Sequence, residues 1–213
     1  MIFAAIFLSY LIGSIPTAYI FGKFYKGIDI RQHGSGNVGA TNVFRVLGKV
    51  PGSIVLILDI LKGVIAVILL SSVFSCNDVW QLIALSLAAV CGHNWTIFLK
   101  FKGGKGIATS LGVLIALAVK LVGIRLALMI TVETWLICFI LTSFVSLSSI
   151  LAGLAFPLAI VLTHQHPLLI GMSVVFGAFV IIRHKPNIQR LIQGKEPRVP
   201  IGFYKKRPIG DRQ

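Results

Sequence analysis

The chain has 213 residues, a length typical of one domain, with 20 Lys and Arg against 6 Asp and Glu and a net charge of +14. Hydrophobic residues make up 56% of it and charged residues 12%, and its mean hydropathy is +0.93. Soluble domains carry about 25% charged residues. The composition therefore excludes a disordered chain, a disulfide-rich secreted module and an ordinary cytosolic enzyme, and it indicates a polytopic membrane protein.

The basic residues lie between apolar runs instead of along one soluble face. A strongly basic chain can bind nucleic acid, anionic lipid or an anionic small molecule, and this distribution argues against nucleic acid. The three cysteines, Cys76, Cys91 and Cys138, stand far apart in or beside apolar segments and have neither metal nor redox spacing. We expect them to pack in apolar surroundings, and we predict no metal site.

The apolar runs predict an all-α fold of about seven membrane-spanning helices. The first run, Ile2 to Gly22, has no Lys or Arg before it and is followed by Lys23 and Lys26, the reverse of a secretory signal. We therefore expect a retained anchor with its N-terminus outside. The further apolar runs cover residues 52–74, 79–99, 106–122, 126–144, 148–163 and 167–182. A count of five would follow if two of these segments were re-entrant or interfacial.

With seven spans, most Lys and Arg residues fall on one side, in segments 23–51, 100–105, 145–147 and 183–213. The positive-inside rule places that side, with the C-terminus, in the cytoplasm. Only Lys120 and Arg125, at an outer turn, run against the rule. We expect residues 1–196 to form the membrane domain and residues 197–213 to form a basic cytoplasmic tail.

The first basic segment, residues 31–45, reads RQHGSGNVGATNVFR. Its glycines allow the backbone to approach a ligand closely and to adopt positive φ. The candidate phosphate-binding and donor residues in it are Gly34, Ser35, Gly36, Asn37, Thr41 and Asn42. These neutral groups would bind an anion through N–H, hydroxyl and amide donors.

A short helix is predicted within this segment, from Thr41 to Leu47, ended by Gly48. Its N-terminal N–H groups would point back at the glycines and favour an anion there. Arg45, one turn after Thr41, would add two parallel N–H donors to a phosphate. The alternative is a Gly/Asn-rich turn in which Arg45 holds lipid headgroups.

The second basic segment, residues 100–106, reads KFKGGKG and precedes an apolar helix. Gly103 and Gly104 would expose backbone N–H groups at the positive end of that helix, and Lys102 and Lys105 would bracket a phosphate. The segment is not a Walker A loop, because Gly106 stands where Ser or Thr should bind magnesium, and ATP use is unsupported. The alternative is a set of ordinary interfacial lysines.

The third basic segment, residues 183–196, reads RHKPNIQRLIQGKE and begins where the last span ends. Its histidine, His184, would serve as a general base or a hydrogen-bond donor near neutral pH. The alternative is a basic helix that lies on anionic lipid. Within the spans, Asp59 and Lys62 stand three residues apart on one helix face, which predicts an internal ion pair.

Taken in order, GSGNVGATN with Arg45, GH followed by FLKFKGGKG, and HKPNI followed by RL and GKE resemble the three motifs of the PlsY family. These are membrane acyltransferases that move an acyl chain from acyl phosphate to glycerol 3-phosphate. The resemblance covers residues 8–196, with departures at Thr96, where the family often has Pro, and at Pro186, where it often has an acidic residue. It implies seven helices and no cofactor.

The resemblance also implies roles for individual residues. Ser35 and Arg45 would be active-site residues, the loop around Lys105 would bind the phosphate of glycerol 3-phosphate, and His184 and Asn187 would contribute to activity. Glu196 would be structural. The proton acceptor stays open between a substrate phosphate oxygen and His184, and a Ser35 acyl-enzyme is a third hypothesis.

The implied setting is the inner membrane of a bacterium, with membrane lipids around the chain and the active site on the cytoplasmic side. The expected product is 1-acyl-glycerol 3-phosphate, and contact with the enzyme that makes acyl phosphate is expected. The competing class is a transporter or flippase for an organic phosphate. Transporters place their sites near the midplane between paired repeats, whereas the candidate anion ligands here lie on one face and no repeat is evident.

Overall fold

The computed structural model describes residues 1–199, and this part of the chain is all α-helical. Its helices in chain order are α1 Ile2–Ser14, α2 Thr17–Lys26, α3 Ala40–Leu47, α4 Lys49–Val73, α5 Val79–Asn94, α6 Ile107–Lys120, α7 Ile124–Thr142, α8 Val145–Leu162, α9 Pro167–Arg183 and α10 Lys185–Ile192. Single 3₁₀ turns occur at Ile30–Gln32 and Ile97–Leu99. The prediction of an all-α fold is confirmed for these residues.

Every predicted apolar run forms a helix, but not every helix is long enough to cross a bilayer. Within residues 1–199, five segments are long and apolar enough: Ile2–Lys26, Lys49–Val73, Val79–Leu99, Ile124–Thr142 and Val145–Leu162. The pair α9 and α10, bent by 59°, would make a sixth. The remaining apolar helix, α6, has 14 residues, so it spans about 21 Å of the ~30 Å hydrocarbon core. The count of seven and the orientation of the termini stay predictions.

The first span is broken at Pro16, which separates α1 from α2. Proline has no N–H and cannot continue the hydrogen-bond ladder, so the helix breaks here. Two side chains from other elements donate to carbonyls at the break: Lys62 donates to that of Ile15 at 3.0 Å, and Thr96 donates to that of Ser14 at 2.5 Å. The break therefore ties the first span to α4 and to the end of α5, as a membrane interior requires.

Glycines allow the central helices to approach closely. A Cβ on Gly63 of α4 would overlap the carbonyl of Thr109 in α6, and a Cβ on Gly112 of α6 would overlap that of Ile60. In the same way, a Cβ on Gly92 of α5 would overlap the carbonyl of Tyr10 in α1. Small residues at such contacts let backbones pack in van der Waals contact inside lipid.

A smaller apolar cluster holds the first basic segment against the bundle. It includes Val38 and Val43 from this segment, Ile30 directly before it and Val55 from α4, all buried. At the other end of the chain, Val199 donates to the carbonyl of Ser143 at 2.9 Å. The start of the predicted tail thus contacts the turn between α7 and α8, and residues 200–213 of that tail lie outside the described residues.

Candidate active site

The second basic segment folds back on the end of α5. The N–H of Gly103 donates to the carbonyl of Asn94 at 3.2 Å, and that of Gly104 donates to the carbonyl of His93 at 3.0 Å. A Cβ on Gly103 would overlap the His93 carbonyl, and a Cβ on Gly104 would overlap the His93 ring. Both positions require glycine, because the loop backbone lies directly against α5.

Unpaired N–H groups cluster where this loop enters α6. Among residues 1–199, no group accepts a hydrogen bond from the N–H of Lys105, Gly106, Ile107 or Ala108. Gly106 caps the helix with a φ of 79°, in the left-handed region that glycine favours. Free N–H groups at a helix start, with the positive end of the helix dipole, are suited to an anion.

A chain of side-chain contacts joins the second and third basic segments. The ammonium of Lys105 donates to Oδ1 of Asn187 at 2.5 Å, and Nδ2 of Asn187 donates to Oε1 of Glu196 at 2.6 Å. Nε of Arg190 donates to Oε2 of Glu196 at 2.7 Å. Burial would raise the pKa of Glu196, but the hydrogen bonds from Asn187 and Arg190 outweigh it and the pKa is lowered.

Lys105 is half-buried, and burial is the main cause that lowers its pKa to about 8. The carboxylate of Glu196 opposes this shift, and three nearby guanidinium groups add to it: Arg190, Arg183 and Arg45. Arg45 of the first basic segment therefore lies within electrostatic range of the second. This pKa leaves the ammonium charged at neutral pH and close to its point of deprotonation.

His184 lies at the junction of α9 and α10 and is 2% exposed. Its Nδ1 lies 2.8 Å from the carbonyl oxygen of Val180. A carbonyl only accepts, so Nδ1 carries a proton and Nε2 of the neutral ring is the acceptor. Asn187 follows one helical turn later and is also buried, so the two side chains share one edge of the site.

The first basic segment contains the predicted short helix, which runs from Ala40 to Leu47 and ends at Gly48. Gly34 and Gly36 have φ values of 61° and 69°, as the sequence predicts. Ser35 and Arg45 are exposed, and within residues 1–199 their side chains make no hydrogen bond or ion pair. Both remain available to a ligand.

Asn42 was predicted to bind substrate, but its side chain is buried and hydrogen-bonded within the protein. It is 1% exposed, its Oδ1 accepts from the N–H of Ser35 at 2.8 Å, and its Nδ2 donates to the carbonyls of Ile30 and His33 at 3.2 and 3.0 Å. Both of its N–H groups are used inside the protein. Asn42 therefore shapes the glycine-rich turn instead of reaching a ligand.

The other predicted phosphate ligands differ in exposure. Asn37 and Thr41 are half-buried, and Lys102 is exposed. The first and second segments touch through the backbone, because a Cβ on Gly104 would come within 2.5 Å of the Val38 carbonyl. The structure thus brings all three basic segments to one end of the bundle.

A buried ionic cluster lies beneath the loop and confirms the predicted pair of Asp59 and Lys62. Oδ1 of Asp59 accepts from Lys62 at 2.8 Å and from Thr17 at 2.6 Å. Nδ1 of His93 lies 3.7 Å from the same oxygen and 3.2 Å from the hydroxyl of Thr109. The cluster connects the first span, α4, α5 and α6 under the loop.

Arg183 and His93 both contact the loop, although neither was predicted to have a role. Arg183 donates to the carbonyls of Gly103 and Gly104. A basic residue at the end of a span carries no signal beyond the positive-inside pattern, so only the tertiary structure reveals this contact. Among the described residues, no three His, Cys, Asp or Glu side chains are placed to hold a metal ion.

Comparison with known proteins gives a consistent picture. A family model described as glycerol-3-phosphate acyltransferase matches residues 3–194. A protein of that name from Desulforamulus reducens is 44% identical over 188 residues, which are 88% of this chain and 90% of the relative. Another, from Fusobacterium nucleatum, is 44% identical over 195 residues, which are 91% of this chain and 96% of the relative.

The fold is also similar to solved structures. A crystal structure of PlsY, an integral membrane glycerol 3-phosphate acyltransferase, in its glycerol 3-phosphate form has a TM-score of 0.84 at 39% identity, covering 93% of this chain and 96% of that one. The lysophosphatidic acid form of PlsY has a TM-score of 0.80 at 38% identity, covering 93% and 95%. The chain therefore belongs to the glycerol-3-phosphate acyltransferase family of the PlsY type and is an integral membrane enzyme.

Proposed function

We propose that this enzyme transfers the acyl group of acyl phosphate to a hydroxyl of glycerol 3-phosphate, which gives 1-acyl-glycerol 3-phosphate and inorganic phosphate. This reaction is the first acylation of phospholipid synthesis. The observation that carries the proposal is the group of free N–H donors at residues 105–108, beside the ammonium of Lys105 and within range of Arg45. The solved glycerol 3-phosphate and lysophosphatidic acid forms of PlsY support it.

Acyl phosphate is already activated, so the enzyme must mainly position the two substrates and stabilise their charges. The hydroxyl oxygen attacks the acyl carbon, the bond from that carbon to the phosphate oxygen breaks, and phosphate leaves with the electron pair. Two anionic substrates repel each other at this range, and Arg45, Lys105 and the backbone donors offset that repulsion. Correct positioning of the reactants supplies ~7–11 kcal/mol of such a barrier.

The residues fall into roles by position. The second basic segment binds the phosphate of glycerol 3-phosphate, with Lys105 held in place by Asn187 and Glu196. Ser35 and Arg45 are exposed and unpaired within residues 1–199, and they face the acyl phosphate. His184 and Asn187 orient the acceptor, and Glu196 fixes Asn187 and Arg190.

The hydroxyl proton passes to a phosphate oxygen of a substrate, with Ser35, His184 and Asn187 orienting the groups. The Nδ1 proton of His184 is committed to Val180, so only Nε2 could accept a second proton. Because a substrate phosphate takes the proton in this proposal, a His184→Gln variant should turn over near the wild-type rate at saturating substrate. A loss of more than about a thousandfold would make His184 the base, since a general base contributes about 10²–10⁴. Ping-pong kinetics and a trapped acyl-serine would instead identify a Ser35 acyl-enzyme.

The donor is tested with purified protein in detergent and radiolabelled glycerol 3-phosphate, with acyl phosphate, acyl-CoA and acyl carrier protein supplied in parallel. We expect lysophosphatidic acid with acyl phosphate alone. Lys105→Met should abolish it, and Lys120→Met, a matched change at the outer turn, should not. Product from another donor would refute the proposed donor, and uptake into sealed vesicles without product would indicate a transporter.

We also propose that the site faces the cytoplasm of a bacterial inner membrane, that the N-terminus lies outside and that all seven apolar segments act as spans. Single cysteines placed at Lys102 and Lys120 should label from opposite sides of sealed vesicles. Labelling from the same side would refute this topology. A site that opens to the cytoplasm is also accessible to the enzyme that makes acyl phosphate, and crosslinking from Lys102→Cys in membranes tests that contact.

A further inference from the structure

The guanidinium of Arg183 makes three hydrogen bonds to the loop backbone. Nε donates to the carbonyl of Gly104 at 3.0 Å, and Nη2 donates to the carbonyls of Gly103 and Gly104 at 2.8 and 2.7 Å. The same group lies 5.7 Å from the ring centroid of Trp95, a distance at which a cation is attracted to an aromatic face. The guanidinium of Arg183 is therefore held by the loop carbonyls at its edge and by the ring of Trp95.

These bonds determine which way the loop donors point. In a trans peptide the C=O and the N–H are antiparallel, so a Gly104 carbonyl directed at Arg183 turns the N–H of Lys105 away from it. The Gly103 carbonyl in the same way directs the N–H of Gly104 toward its acceptor, His93. The arrangement removes the negative ends of two peptide dipoles from the anion side of the loop.

The charge of Arg183 also remains uncompensated. Within residues 1–199 it forms no ion pair with Asp or Glu. It is followed directly by His184, and Asn187, which holds Lys105, lies one turn further along α10. The loop is thus linked to the third basic segment by the side chain of Arg183 as well as by that of Lys105.

We propose that Arg183 is a positioning residue, which binds the carbonyls of Gly103 and Gly104 and so holds the second basic segment in its phosphate-binding conformation. The role rests on the proposed function, because it assigns glycerol 3-phosphate to this loop. It requires the two-point fork of guanidinium. Lysine keeps the charge but is a single point donor, so it would not orient both peptides.

The test compares Arg183→Lys with Arg125→Lys. Arg125 is the matched control, because its Nε donates to the carbonyl of Ala118 at 3.1 Å at the outer turn, away from the loop. We expect Arg183→Lys to raise the KM for glycerol 3-phosphate about 10- to 100-fold, the scale of effect of a small misplacement. The KM for acyl phosphate and the melting temperature without ligand should stay near wild type, and Arg125→Lys should change none of these.

A second readout is thermal protection by glycerol 3-phosphate in the absence of donor. Wild type and Arg125→Lys should be stabilised by it, and Arg183→Lys should need about 10- to 100-fold more ligand for the same shift. Unchanged protection, or an equal fall in affinity for both substrates together with a lower ligand-free melting temperature, would overturn the proposal. If wild type shows no transfer from acyl phosphate, the proposed donor is wrong, and the protection assay still decides the role of Arg183.

Discussion

The buried pair of Asp59 and Lys62 offers a quantitative test of how the bundle is held under the loop. The two residues are 1% and 5% exposed. An Asp59→Asn change keeps an oxygen for the Thr17 hydroxyl but removes the negative charge 2.8 Å from the Lys62 ammonium. Lys62 then has only neutral acceptors, the amide oxygen at position 59 and the carbonyl of Ile15, and no opposite charge.

Breaking a buried ion pair on one side costs about 3–5 kcal/mol, because the remaining charge stays desolvated. At roughly 2–4 °C per kcal/mol for a chain of this size, the melting temperature should fall by about 6–20 °C. The measurement is thermal unfolding of the detergent-solubilised protein, followed by circular dichroism. Removal of both charges in Asp59→Leu with Lys62→Met should recover most of the loss, since apolar replacement of a buried pair is often neutral.

The control is Asp78→Asn, the same chemical change at the exposed N-cap of α5. Asparagine caps a helix as well as aspartate does, so its melting temperature should stay within about 2 °C of wild type. Equal shifts for Asp59→Asn and Asp78→Asn would refute the argument. A double variant as unstable as the sum of its single changes would refute it too.

Three further predictions concern the loop and its supports. Because the pKa of Lys105 is lowered to about 8, its ammonium loses its charge as pH rises through that value. The kcat/KM for glycerol 3-phosphate should therefore fall above about pH 8, and a kcat/KM that stays constant to about pH 9.5 would contradict this. Gly104→Ala places a Cβ against the His93 ring and should abolish activity, whereas the Cβ of Gly171→Ala meets nothing within 4 Å and this variant should be active. Equal activities of the two variants would show that the loop can accommodate a methyl group at position 104. The pKa of Glu196 is lower in the folded protein than in the unfolded chain, so its carboxylate stabilises the fold above the unfolded pKa, and this stability is lost as pH falls through the folded pKa. The stability of Glu196→Gln should therefore depend less on pH below about 4.5. An unchanged loss of stability in acid would exclude this contribution.

Several elements could be predicted because their causes are local in the chain. An apolar run in lipid must satisfy its own backbone hydrogen bonds, so composition alone led to helices. Gly48 ends α3 as expected, with a φ of 97°, because glycine adopts that conformation without strain. The pair of Asp59 and Lys62 followed from their spacing of three residues on one helix.

Other local features were visible in the sequence but were weighed differently. Pro16 interrupts the first span, which the apolar run from Ile2 to Gly22 suggested was continuous. The position of α6 was predicted, but its 14 residues leave it shorter than a bilayer core. In both cases the apolar pattern predicts where a helix forms, but it does not predict whether that helix is continuous or long enough to cross the bilayer.

The sequence by itself determined the helical class, the apolar segments and the three basic segments, since each depends on neighbours a few residues apart. The tertiary structure alone decided which side chains meet: Lys105 and Asn187 are 82 residues apart, and Arg183 lies 79 and 80 residues from the carbonyls that it binds. It also turned Asn42 inward to hold a loop. Such contacts depend on how each helix is rotated and packed against the others, and packing is a property of the whole bundle that no local pattern encodes.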